Sequence, residues 1–231
     1  MNSKVLVWDL PVRVFHWCLA LAFGGAYLLG ESERWRDVHV ALGYAAVGLV
    51  GFRLVWGFVG TRYARFASIR YTPRQAWQYL NGLIRGRAAH FTGHNPAGSW
   101  AIYALLALGL ATGVSGWLRY EEVAGDAFED VHAILANAWL GLVVLHIAAV
   151  IVSSALHREN LPLTMVTGYK SGTPDEAVPD ARPAIGVGVL LAAVALVAGW
   201  IGWGGELRGK EPGSAASAQS EIADRTRKDD D

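Results

Sequence analysis

The chain has 231 residues, 53% of them hydrophobic and 17% charged, with ten Trp and a formal net charge of zero. That is too apolar for a soluble domain of this length, and the neutral balance gives no global pull toward nucleic acid. The lone cysteine, Cys18, excludes an intrachain disulfide, a CxxCH haem attachment and a cysteine-ligated iron–sulfur cluster.

A membrane span needs about 20 mostly apolar residues. Five stretches qualify in chain order: Val12–Gly30, Val38–Val59, Ala97–Leu118, Val131–Leu156 and Pro183–Gly205. The first follows Lys4 but lacks a small-x-small cleavage site and contains Arg13 and His16, so it reads as a retained span. The 60–96 connection carries Arg62, Arg65, Arg70, Arg74, Arg85 and Arg87, and no Asp or Glu lies between Asp37 and Glu121. The opposite connection contains Glu121, Glu122, Asp126, Glu129 and Asp130. The positive-inside rule then puts the Arg-rich loop and the N-terminus in the cytoplasm and, after five spans, the C-terminus outside. The expected fold is all-α and integral to the membrane: a four-helix transmembrane bundle plus a fifth C-terminal transmembrane helix. Its parts are residues 1–160 (the bundle), 161–182 (a Pro-rich cytoplasmic linker resembling a hinge), 183–205 (the fifth helix) and 206–231 (a polar tail expected to be disordered).

Four histidines fall in or at the edges of these spans, where an ionisable side chain is costly and points to function. His132 and His146 are fourteen residues apart, close to four helical turns, so they share a face about 21 Å apart along the axis. His16 opens the first span from the cytoplasmic side and His39 the second from the outer side. Depth therefore matches His16 with His146 and His39 with His132. Each pair is suited to hold one haem iron through two imidazoles in a bundle core.

Arg53, fourteen residues after His39, shares its face at the depth of the inner pair. It reads either as a partner for a haem propionate or as an arginine snorkelling to the interface, and Arg13 has the same two readings. Gly43 and Gly113 would admit a flat macrocycle or serve helix packing. Trp139, midway between His132 and His146, reads as a core or interface residue. His90 and His94 read as solvated loop residues beside an Asn95-Pro96 helix start. His157 reads as an interfacial residue.

Several segments resemble one family. They are VWDLPVRVFHW around His16, HVALGY from His39, RLVWGFVGTRYARF from Arg53, GHNPAGSW, the span from His132 to His146, and HRENL with MVTGYK beyond it. The chain resembles the bacterial cytochrome b-561 group, which includes the cytochrome b subunits of nickel–iron hydrogenases, over about residues 5–170. The resemblance implies two haems b, with His16, His39, His132 and His146 as axial iron ligands. It also implies electron transfer between the quinone pool and a redox partner, either a periplasmic c-type cytochrome or a hydrogenase. Whether the chain is a quinone-linked oxidoreductase or an electron-transfer subunit stays open, as does a homo-oligomer. The competing reading from another class is a cofactor-free membrane transporter or anchor with metal-binding histidines.

Overall fold

The computed structural model describes residues 3–121 and 127–208. Seven α-helices are present among them: α1 Leu10–Leu29, α2 Arg36–Val59, α3 Pro73–Ile84, α4 Pro96–Tyr120, α5 Ala127–His157, α6 Leu161–Thr167 and α7 Pro183–Arg208. Five of these (α1, α2, α4, α5 and α7) are long and apolar enough to cross a membrane. The protein is an all-α, multi-pass integral membrane protein, with a single two-stranded ribbon among the described residues. Glu122, Asp126 and the tail from Gly209, expected to be disordered, lie outside the described residues.

The helix starts follow from local chemistry. Asp9 caps α1, its carboxylate accepting from the Val12 amide at 2.9 Å ahead of Pro11 in the first turn. Asn95 caps α4 in the same way through the Gly98 amide at 2.7 Å, with Pro96 leading the helix. Thr72 and Gln75 form a reciprocal capping box on α3.

In the bundle, α1 packs on α2, α2 on α4, and α4 on α5. Buried Phe15, Leu49, Val50 and Leu106 form one core cluster, and Ala22, Phe23, Ala45, Ala46 and Trp139 form another. Trp139 is 4% exposed and its ring lies 4.2 Å from that of Phe23. Trp139 is therefore a core residue in the middle of the bundle. Helix α7 lies along α1 and α2, with Val189 and Ala193 joining the first cluster and Val197 the second.

The stretch 161–182, hinge-like in sequence, carries secondary structure: α6, strand β2 (Tyr169–Gly172) and a 3-10 turn at Pro174–Glu176. Strand β1 (Ser3–Leu6) pairs antiparallel with β2, Val5 opposite Lys170. Gly168 closes α6 at φ +90, a conformation that favours glycine, and its carbonyl accepts from the Val7 and Trp8 amides at 2.8 and 3.0 Å. Leu10 N–H donates to Ala181 at 2.8 Å and Val178 N–H to Leu6 at 2.7 Å. The N-terminus and the segment before α7 thus form one folded cap at the Arg-rich end of the bundle.

Candidate functional site

The spacing that places His132 and His146 on one face of α5 puts their rings against α2 and α1. At the Arg-rich end the His16 and His146 rings face each other, centroids 6.5 Å apart and planes at 57°. At the opposite end His39 and His132 do the same at 6.1 Å and 84°. With a metal–nitrogen bond of about 2 Å, two imidazoles on opposite sides of one ion place their centroids about 6 Å apart. Both pairs meet that spacing.

The outer pair is oriented by backbone. His39 Nδ1 lies 2.8 Å from the Ala26 carbonyl and His132 Nδ1 lies 3.1 Å from the Thr112 carbonyl. A carbonyl can only accept, so each Nδ1 carries the hydrogen and each Nε2 keeps its lone pair. The Ser115 hydroxyl sits 3.2 Å from His132 Nδ1 while itself donating to Thr112 at 2.9 Å. Next to this pair a cavity of about 290 Å³ opens between α1, α2, α4 and α5. Gly43 lines it, with open space where a Cβ would stand. Gly113 also lines it, but a Cβ there would run into Val47, so that glycine lets α4 approach α2.

The inner pair is set among charge instead. His16 Nδ1 is buried without a hydrogen-bond partner among the described residues, as are Arg53 Nη1 and Arg13 Nε. Arg53 is 3% exposed, with its guanidinium 5.1 Å over the Phe66 ring, so it does not snorkel to the interface. Arg13 reaches the end of α6, Nη1 donating to the Val166 carbonyl at 2.6 Å. Such orphaned buried donors suit a carboxylate-bearing group, because a buried guanidinium without an acceptor is costly. The propionate edge of a haem fits this donor set, and the facing imidazoles fit its iron.

At this end Asp9 and Trp8 carry roles that the sequence did not reveal, and His94 departs from its expected place in solvent. Asp9, 1% exposed, accepts from Trp56 Nε1 at 3.0 Å and Thr61 Oγ1 at 2.7 Å as well as from Val12. It ties the start of α1 to the end of α2 and lies in electrostatic reach of Arg53. Its place directly before Leu-Pro was the available signal, since that is an N-cap pattern. Trp8 sets its ring 4.6 Å from that of His94, the planes tilted by 52°. His94 is half-buried rather than solvated, its Nδ1 shut away without a hydrogen-bond partner among the described residues, and burial pushes its pKa down to about 3. His90, the other loop histidine, is exposed and pairs with Glu159 at 3.3 Å.

The family model for prokaryotic cytochrome b561 matches residues 7–168. A probable Ni/Fe-hydrogenase B-type cytochrome subunit of Azotobacter vinelandii is 28% identical over 73% of this chain and 89% of its own length. Similarly named subunits of Rhizobium leguminosarum bv. viciae and Escherichia coli K12 are 26% and 22% identical, over 73% and 71% of this chain and 90% of their own lengths. No solved structure matches the chain with statistical significance. Five membrane-spanning helices and a family match over most of the chain lead to one conclusion: the chain belongs to the prokaryotic cytochrome b561 family and is a bacterial membrane b-type cytochrome of electron transfer.

Proposed function

We propose that this cytochrome carries electrons through the membrane on two haems b, one held by His16 and His146 and the other by His39 and His132. The observation that carries the reading is the pair of facing imidazole couples, 6.5 and 6.1 Å between centroids, at opposite ends of one bundle. When bound, haem supplies reversible one-electron chemistry at its iron. The chain's own residues do the rest. The carbonyls of Ala26 and Thr112 hold the outer imidazoles in the tautomer that presents Nε2 inward. Arg53 offers its free Nη1, and Arg13 its Nε, to propionate oxygens at the inner site. The apolar lining of the outer pair and the buried charges around the inner pair help set the two potentials.

The Arg-rich loop supports an orientation with the inner site at the cytoplasmic face, the N-terminus cytoplasmic and, after five crossings, the C-terminus periplasmic. Electrons then pass between the quinone pool and a redox protein at the membrane surface. The names of the relatives point to a hydrogenase as that protein; a periplasmic c-type cytochrome is the other class with suitable chemistry. The test is haem stoichiometry by pyridine haemochrome assay, expected to give two haems b per chain. One haem per chain in the unmodified protein overturns the reading.

A further inference from the structure

Helix α3 is neither a membrane span nor a core helix, and its sides divide three ways. Tyr71 and Tyr79 sit at its protein-facing edge: Trp100 Nε1 of α4 donates to the Tyr71 carbonyl at 3.1 Å, and the Tyr79 ring lies 5.8 Å from that of Phe91. Just past its other end, Gly86 lies beside Leu156 at the foot of α5. The helix therefore crosses the Arg-rich end of the α4–α5 pair. At about 100° per residue, buried Ala76 and Tyr79 lie on its bundle side. Trp77, Leu80 and Ile84 fall within about 60° of one another on the adjoining side, and they are 70%, 39% and 86% exposed. Arg74, Gln78 and Asn81 occupy the remaining side.

An exposed Trp-Leu-Ile stripe beside a bundle that crosses a membrane has one chemically matched cover, the acyl–headgroup boundary of the bilayer. Charge agrees. Arg74 in its first turn and Arg70, Arg85 and Arg87 beside its ends are all exposed, and none makes an ion pair among the described residues. No acidic residue occurs between Asp37 and Glu121 to neutralise them. We infer that α3 is an interfacial anchor whose Trp77–Leu80–Ile84 stripe enters the leaflet at the Arg-rich end while the four arginines bind the phosphates of anionic phospholipids. The inference is independent of how many haems the bundle holds.

Cys18 is the lone cysteine, so a Cys18→Ser background allows single spin labels on the full chain, reconstituted in phosphatidylcholine vesicles with or without phosphatidylglycerol. Labels at Leu80→Cys and Ile84→Cys should collide with oxygen in preference to a water-soluble nickel chelate, and the label at Gln78→Cys should show the reverse. Spin-labelled phosphatidylglycerol should associate with the protein more strongly than spin-labelled phosphatidylcholine. That preference should be lost when Arg70, Arg74, Arg85 and Arg87 are all changed to Gln, with haem content checking the fold. Nickel access at Leu80 equal to that at Gln78 overturns the anchor and makes the stripe a water-facing protein-docking surface. An absent lipid preference, or one indifferent to the arginines, overturns headgroup binding.

Discussion

The two histidine pairs have nearly the same ring separation but are held in different ways. At the outer pair, backbone carbonyls fix both imidazoles and the neighbourhood is apolar and open. At the inner pair the imidazole His16 has no such partner, and the surroundings are built from buried charge. Asp9, Arg53 and Lys170, the buried charged side chains among the described residues, all lie at that end. One site is thus specified by hydrogen-bond direction and the other by electrostatics. Substitutions should separate them.

The largest effect is expected from the histidines themselves. His146→Ala should halve the haem content and leave the outer haem reducible, while His132→Ala should do the converse. The pyridine haemochrome assay with dithionite difference spectra reads both. If either variant loses all haem, the two sites are one cooperative unit and the contrast fails.

Gly116→Ala comes next. A Cβ there would stand 2.9 Å from His132 Cε1, too close without moving the ring. The outer site should lose haem or shift its spectrum, with the inner site unchanged. Gly188→Ala on α7 has nothing within 4 Å of the new methyl and should leave both spectra as they are.

Arg53→Gln should act on the inner site alone. Losing a buried positive charge disfavours the added electron, so the inner midpoint potential should fall by roughly 60 mV, equivalent to about 1.4 kcal/mol for one electron. Potentiometric titration measures it, and a fall shared equally by both haems would contradict the proposed placement.

Ser115→Ala should be the mildest. It removes a hydroxyl 3.2 Å from His132 Nδ1 but keeps the Thr112 carbonyl that orients the ring. The expected change is a small shift of the outer potential, well below that of Arg53→Gln, and a stability loss of no more than about 1 kcal/mol.

The spans were legible because an apolar run of helical length admits few alternatives in a membrane, and the fourteen-residue interval in α5 already put His132 and His146 on one face. The helix starts at Asn95-Pro96 and Asp9 follow a local rule, although Asp9's second role, bridging to Trp56 and Thr61, depends on α2 returning to the same depth. The β1–β2 ribbon was not legible. SKVL and YKSG are short and carry no strong strand pattern, and they pair only because α1 and α6 bring them together. The same holds for His94, whose loop position suggests solvent until Trp8 is seen to cover it. Proline content likewise suggested slack between residues 161 and 182, whereas backbone hydrogen bonds to the N-terminus hold that stretch in place.

The ribbon also bears on how the chain is made. β1 precedes α1 in the chain and β2 emerges only after α1, α2, α4 and α5, with four membrane crossings between them. An even number of crossings returns the chain to its starting side, so the strands can meet. A nascent chain that skipped one span would strand them on opposite sides of the lipid, leaving the Gly168 carbonyl without the Val7 and Trp8 amides that it accepts from here. Closure of this small buckle therefore acts as a parity check on membrane insertion.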